Sequence, residues 1–405
     1  MEARSSQKRE METESQKAGI GQGIVVVVAA FLPIAAIVSM APAVPRILQH
    51  FSSVPNADTW VPLLVTAPGI MIALCSPIMG WLVDRYGRRR LLLVTTFVYG
   101  IFGTAPYILT DIKAIFVFRL AIGVTEAGIL TITNTLLGDY FAHDQRRTWL
   151  TVQGLVGPLF GTAVLTLSGF VTSLAWNASF LIYAVAFPIF LAMLVLIYEP
   201  PVQREIAGHA TGTGRTFPWA DVVIFSLVTL FSSALYYVFI VQIGFAYGAV
   251  GVDAPERVGI LISIPSFAVL LGALVFQRLS KRFLPVHLIA VFLGLIGLGM
   301  VGIGLSTSPV MMACFAAVQQ IGAGMTIPVL VLWTITKLPA EHRGRGMGAW
   351  TTAFFLGQFI SPLFVSAVRP LSGGILGTFT LMGYVAFSGA FFSLIRLRWY
   401  KQDVL

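Results

Sequence analysis

The chain is poor in charge. Only 11% of its 405 residues are Asp, Glu, Lys or Arg, and 57% are hydrophobic, where soluble domains carry about 25% charged residues. A water-soluble fold of this size could not hide so much apolar surface. Cysteine is almost missing too. Cys75 and Cys314 each lie inside an apolar run, so no disulfide framework is indicated and no metal-ligand spacing exists. The five histidines (His50, His143, His209, His287, His342) are scattered and suit helix ends and loops. No Gly-Lys dipeptide occurs, so there is no Walker-type phosphate loop. Gly297-Leu-Gly299-Met-Val-Gly302 matches a dinucleotide fingerprint by letter, but it sits in an unbroken apolar run with no preceding strand, and reads as close helix packing by small residues. No cofactor and no metal are therefore expected, and an ion gradient is the natural energy source.

What is present is a series of long apolar runs. A bilayer core needs about 20 mostly apolar residues per helix, and twelve such spans occur near 21–43, 60–82, 91–110, 115–138, 149–172, 177–198, 219–245, 257–277, 285–306, 309–335, 347–368 and 375–397. With both termini inside, the cytoplasmic segments hold 21 of the 26 basic residues and the external loops hold 4: Arg46, Lys113, Arg257 and Arg369. Arg119 alone is left within the membrane. This bias fixes the orientation, and an odd number of spans would spoil it. It also assigns the formal charge of +9 to short loops, so no nucleic-acid partner is expected. The lipid bilayer is the expected surrounding.

Residues 1–18 are polar, mixed in charge and without an apolar core, and read as a disordered cytoplasmic tail, not a signal peptide. The longest polar interruption runs over 199–218 as a cytoplasmic linker and divides the chain into bundles of six helices, 19–198 and 219–398, with a short cytoplasmic tail at 399–405. The halves echo each other. Asp84-Arg-Tyr-Gly-Arg-Arg has a faded counterpart in Gln277-Arg-Leu-Ser-Lys-Arg282, and Asp144-Gln-Arg146-Arg147 has one in Glu341-His-Arg343-Gly-Arg345. Prolines fall inside the spans (Pro33, Pro68, Pro77, Pro158, Pro188, Pro265, Pro328, Pro362); membrane bundles tolerate these because neighbouring groups satisfy the freed carbonyls.

Among seventeen acidic residues only Glu126 lies deep in a span, the fourth. Arg119 precedes it by seven residues, almost two turns, so both project from nearly the same face. Gly123 between them is expected to leave space. Each charge at a helix centre costs about 3 kcal/mol on insertion scales, and such residues usually face a cavity and pair. Burial penalises the ionised carboxylate while Arg119 favours it, which suits a proton carrier. The plainer alternative is a structural ion pair that pins the fourth helix.

The segment Gly80-Trp-Leu-Val-Asp84-Arg85-Tyr-Gly87-Arg88-Arg89-Arg90 between spans 2 and 3 resembles the corresponding loop of the major facilitator superfamily of secondary transporters. Arg119-Leu-Ala-Ile-Gly123-Val-Thr-Glu126-Ala127, followed by Gly138-Asp139-Tyr-Phe, looks like the fourth helix of several families within it. Arg119 and Gly123 match the motif of drug:proton antiporters, and Glu126-Ala127 is more like anion:cation symporters and spinster-like transporters. Those two families typically add an acid in helix 1, and none occurs here from Gly21 to Val44. Gly157-Pro158-Leu-Phe-Gly161-Thr162 resembles the antiporter motif of helix 5, with threonine for its last glycine; a proline kink with small-residue packing reads equally well. Trp176-Asn-Ala-Ser-Phe-Leu-Ile-Tyr183 and Phe355-Leu-Gly-Gln358 strengthen the likeness to bacterial drug-antiporter-like proteins.

The resemblance implies an all-α membrane protein of twelve helices in two pseudo-symmetric six-helix bundles, with the substrate site between them near the midplane. It implies that helices 1, 4, 7 and 10 line a cavity, to which Thr131, Asn134, Tyr236, Tyr237, Gln242, Gln319, Gln320 and Trp333 would contribute, with Gln358 of helix 11 a further candidate. Each could equally serve as glue between helices. It gives Gly80, Asp84, Arg85, Gly87, Arg88 and Asp139 the role of a conformational latch: Asp84 would face the start of helix 11, Arg85 or Arg88 would pair with Asp139, and the halves would be held together on the inner side. The implied function is secondary transport in a bacterial inner membrane by a monomer, with proton-coupled export of hydrophobic or amphipathic small organic compounds leading, and uptake of an organic anion on Arg119 or lipid transport as alternatives. No enzyme activity is expected.

Overall fold

The computed structural model describes residues 18–141, 143–200, 217–339 and 342–402. Residues 399–402 of the expected C-terminal tail at 399–405 continue the last helix, while 403–405, most of the expected tail at 1–18 and most of the linker at 199–218 fall outside the described residues. So do Glu341 of the faded motif and the side chain of Asp84.

Twelve helices among the described residues are long and apolar enough to span a membrane, and each coincides with an expected span. They are α1 (Ile20–Val38), α2 (Ala57–Tyr86), α3 (Arg88–Thr104), α4 (Ile112–Tyr140), α5 (His143–Leu174), α6 (Ala178–Leu196), α7 (Trp219–Ala249), α8 (Pro255–Leu279), α9 (Pro285–Gly304), α10 (Pro309–Lys337), α11 (Arg343–Val368) and α12 (Ile375–Gln402). The first span ends well before its expected limit. α1 stops at Val38, not near residue 43, and a separate short helix covers Val44–His50. Pro42 and Pro45 supply no N–H to continue the ladder. α1 also breaks at Phe31, two residues before Pro33.

Three carbonyls that prolines leave without an in-helix donor are met from other helices. Pro68 frees the Leu64 carbonyl, which takes the Arg119 Nε–H at 2.6 Å. Pro77 frees that of Ala73, approached by the Thr352 hydroxyl at 3.4 Å. Pro265 frees that of Leu261, which takes the Tyr247 hydroxyl at 3.1 Å. An unmet polar group in hydrocarbon costs several kcal/mol, roughly, so these contacts fix neighbours as well as repairing kinks.

The buried apolar residues form two large clusters, one almost wholly from α1–α6 and one almost wholly from α7–α12. The halves touch at the end away from the arginine-rich loop. There α5 lies on α8: a Cβ on Gly169 would be 2.7 Å from the Pro255 carbonyl and 3.0 Å from the Gly259 Cα. The hydroxyls of Thr166 and Ser263 meet at 2.7 Å across the same seam. α7 closes on the segment after α1, where a Cβ on Gly244 would be 2.9 Å from the Ala41 carbonyl. Nearer the middle, α2 crosses α11 at Gly69, which abuts the Phe355 carbonyl and the Gln358 side chain. Toward the arginine-rich end the seam opens. Gly80 lies on the same face of α2 as Gly69 and Ala73, eleven and seven residues on, yet a Cβ there would meet nothing within 4 Å, and the same holds for Gly344 and Gly348 of α11.

Candidate functional site

Arg119 is fully buried, and it does not pair with Glu126. Its Nε–H goes to Leu64, its Nη2 donates to the carbonyls of Val65 at 3.1 Å and Ala36 at 3.5 Å, and its Nη1 donates to the Tyr183 hydroxyl. Tyr183 in turn donates to the Ala36 carbonyl at 2.7 Å, which is exposed to it because α1 ends two residues later. One guanidinium therefore joins α1, α2, α4 and α6. The sequence motif ending in Tyr183 supplies its side-chain partner.

Gly123 does not leave space between the two charges, as expected from sequence. α2 fills it: a Cβ on Gly123 would be 2.3 Å from the Pro68 carbonyl, 2.7 Å from its Cα and 2.8 Å from the Met71 Cβ. The backbone of α2 crosses α4 between Arg119 and Glu126, which explains why nearly coincident facing did not produce an ion pair.

Glu126 is 2% exposed. Its Oε1 is buried with no hydrogen-bond partner among the described residues. It interacts electrostatically with Arg119, with Tyr99 and Tyr183 of its own half, and with Tyr237 of the other half. The neighbouring Ala127 packs with Ile72 and Met79 of α2, and Phe355 of α11 packs against this cluster. Glu126 thus sits where the two halves approach.

Tyr237, which interacts with it from the second half, belongs to an aromatic group of α7 and α11. Tyr236 and Tyr237 stand edge to face at 5.1 Å, Tyr237 meets Phe354 at 5.8 Å, and Trp350 stacks on Phe354 at 5.4 Å. α7 and α11 are held close by Gly357, which packs on the Leu230 carbonyl and Ser233, and by the Ser233 hydroxyl donating to the Phe354 carbonyl at 2.5 Å. Trp350 and Phe354, four residues apart on one face of α11, were not singled out from sequence; their i,i+4 spacing was the signal.

The other expected cavity residues are divided. Gln358 lies at the α2–α11 crossing, in contact with Gly69. Gln242 and Gln320 are buried on α7 and α10. Thr131 donates back to the Ala127 carbonyl at 2.7 Å, and Asn134, one turn on, is exposed. Trp333 belongs to the core of the second half, its indole N–H without a hydrogen-bond partner among the described residues. Gln319 departs from expectation: its backbone and Cβ press on Gly299 of α9, within the second half and away from α4. Gly157 and Gly161 of α5 line up on Phe31 and Ile34 of α1, at its break, and α5 runs unbroken through Pro158.

The latch residues are arranged in part as expected. Arg88 Nε meets Asp139 Oδ2 at 3.1 Å, but both belong to the first half, so this pair does not hold the halves together. Arg85 is exposed and lies over the rings of Trp81 and Tyr86. Gly87 has φ +88°, a conformation that favours glycine. Sequence reasoning missed Glu199. Its two carboxylate oxygens accept from the backbone N–H groups of Arg88 at 2.7 Å and Arg89 at 2.8 Å, capping the start of α3. Arg89 returns the favour at the end of α6, donating to the carbonyls of Ile197 at 2.6 Å and Leu194 at 3.0 Å.

Comparison with known proteins agrees with this architecture. The chain is similar to the putative metabolite transport protein YyaJ of Bacillus subtilis, 23% identical over 81% of this chain and 80% of that one. It is 27% identical to the multidrug export protein EmrB of Haemophilus influenzae over 40% of this chain, spanning only 31% of that relative's length. Among solved structures, a D-xylose-proton symporter superposes with TM-score 0.76 over 92% of this chain and 96% of that one, at 13% identity, a likeness of fold alone. A family model described as Major Facilitator Superfamily matches residues 26–253 and 222–403. With two six-helix clusters and matches that together span nearly the whole sequence, the chain belongs to the Major Facilitator Superfamily, a family of membrane transporters.

Proposed function

We propose that this transporter works by alternating access in a bacterial inner membrane, with both termini cytoplasmic, and couples proton entry to export of hydrophobic or amphipathic small organic compounds. The observation that carries this reading is Glu126: the one acid deep in a span, buried, with a carboxylate oxygen that no donor reaches among the described residues. A buried carboxylate cannot keep its charge cheaply without a partner. A proton or a substrate supplies one, and a change of access lets it leave.

The organic-anion alternative needs Arg119 to be available. Four of its five N–H donors are already held by three carbonyls and the Tyr183 hydroxyl, which argues for export of other chemistry. On the positive-inside orientation, the closed Thr166–Ser263 end faces outward and the open Gly80 end faces the cytoplasm, so the conformation corresponds to an inward-facing state. Closure of α2 on α11 over Gly80, Gly344 and Gly348 would then give the outward-facing one.

The test is transport by the purified protein in proteoliposomes under an imposed pH gradient. Glu126→Gln should abolish proton-driven accumulation while substrate exchange without a gradient persists. Undiminished proton-driven accumulation would remove Glu126 from the mechanism.

A further inference from the structure

The end of α1 holds carbonyls that its own chain does not satisfy. The Met40 N–H bonds to Ile37 at 3.3 Å, which leaves the Ala36 carbonyl to the Tyr183 hydroxyl and Arg119. The Ala43 N–H bonds to Met40 at 2.9 Å, and Pro42 has no N–H to give. The Ser39 carbonyl takes the Ser168 hydroxyl of α5 instead. Pro45, four residues after Ala41, has no N–H for the Ala41 carbonyl. That carbonyl lies against α7, where a Cβ on Gly244 would be 2.9 Å from it and 3.1 Å from the Pro45 ring. The segment is pinned again at its far end, where the His50 ring stacks on Trp176 at 4.0 Å. Residues 36–50 therefore form a strap. Both ends are fastened to the first half, and the middle is seated on the second. Ala41, 1% exposed, belongs to the core cluster of the second half, and Val241 of α7 belongs to that of the first. The segment Trp176–Tyr183, singled out from sequence, supplies a fastening at each of its own ends.

We propose that Ser168, Trp176 and Tyr183 are positioning residues for closure of this seam, holding the strap where Ala41 and Pro45 seat on Gly244. The inference rests on the alternating-access reading above, and on neither the substrate nor the role of Glu126. Two backbones approach this closely only where one side carries no side chain, so the seat tolerates little displacement of the strap. Ser168 is fully buried, and its hydroxyl meets the Ser39 carbonyl two residues before Ala41. A buried carbonyl deprived of its donor moves toward another one or toward water, and the strap moves with it. The fastenings lie within the first half and persist when the halves part. The seat on Gly244 exists only while this end is closed. Spoiling a contact that belongs to one state shifts the population to the other. A loosened strap therefore opens the α5–α8 end and, through alternation, closes the end at Gly348.

The experiment measures labelling rates with N-ethylmaleimide, which reaches both faces of the membrane, on the full-length protein in proteoliposomes. Two reporters are placed singly on a Cys75→Ser, Cys314→Ser background. Ser263→Cys sits at the closed end, where Ser263 is 4% exposed, and Gly348→Cys sits at the open end. Ser168→Ala should raise labelling of the first reporter at least three-fold and lower that of the second at least three-fold. Trp176→Leu, which removes the fastening at His50, should do the same. Ser173→Ala removes an α5 hydroxyl that bonds only within its own helix, to the Phe170 carbonyl, and should change neither rate. A merely structural role for the anchors would raise labelling at both ends. Unchanged rates, or a rise at both reporters, in either anchor variant would overturn the inference. Gly244→Ala, which obstructs the seat directly, separates the two claims. Opposite shifts in Gly244→Ala without them in the anchor variants leave alternating access standing and remove the strap. Opposite shifts in none of the three remove both.

Discussion

The Nε–H of Arg119 occupies the carbonyl that Pro68 leaves open on Leu64, at 2.6 Å. The arginine and the proline are thus one structural unit spread over two helices. Removing the guanidinium leaves the Leu64 carbonyl without a donor and the Tyr183 hydroxyl without its arginine in a dry interior, at about 1–3 kcal/mol for each unsatisfied group. Arg119→Gln should therefore lower the melting temperature strongly. Lysine should rescue little, because a point charge cannot reproduce a planar fork. Adding Pro68→Ala restores an in-helix N–H for Leu64, so the double variant should recover part of the loss. A melting-temperature cycle checks this, and strictly additive losses would contradict the unit.

Gly123→Ala tests the α2–α4 crossing. A methyl 2.3 Å from the Pro68 carbonyl cannot be seated without separating the helices, and overpacking of this kind costs about 1–3 kcal/mol or more. The variant should fold poorly, read as a loss of the monodisperse fraction in size-exclusion chromatography. Gly80→Ala, which meets open space, should leave that fraction unchanged and slow transport instead.

The span count, the class of fold and the oddity of Arg119 and Glu126 were all legible in the sequence, because each rests on composition and on the cost of charge in hydrocarbon. The relation between the two charges was not. Helical spacing places them on one face, but whether they meet depends on what crosses between them, and α2 comes from 55 residues earlier. Gln319 shows the same limit: polarity marks it, yet only the position of Gly299 on α9 decides which way it faces. The aromatic group on α7 and α11 was half visible, as Tyr236 and Tyr237; Phe354 and Trp350 join it through the close packing at Gly357. Glu199 was missed because a single acid after an apolar run looks like any loop residue until the chain ends around it are brought together.

Glu199 makes a separate prediction. Its carboxylate accepts from the first two N–H groups of α3, which places negative charge at a helix N-terminus. Such caps contribute about 0.5–2 kcal/mol. Glu199→Ala should lower the melting temperature by a few degrees and loosen the start of α3, seen as faster amide exchange at Arg88 and Arg89. Glu199→Gln, which keeps one acceptor oxygen, should fall between. No change in exchange at those two amides would show that the cap contributes nothing.

The seam between α5 and α8 offers the most direct view of the working cycle. Thr166 and Ser263 face each other at hydroxyl distance across the halves, within the reach of a disulfide. Thr166→Cys with Ser263→Cys should cross-link readily under mild oxidation. The cross-link should stop transport by fixing this end closed, and a reductant should restore it. Gly80→Cys with Gly348→Cys lies along the α2–α11 face that is open in this conformation, so it should cross-link only when the α5–α8 seam parts. The two yields should then move in opposite directions when substrate or a pH gradient shifts the populations, as two states of one equilibrium require. Yields that rise together would mean that both ends can close at once, and the seams would not then be alternative gates.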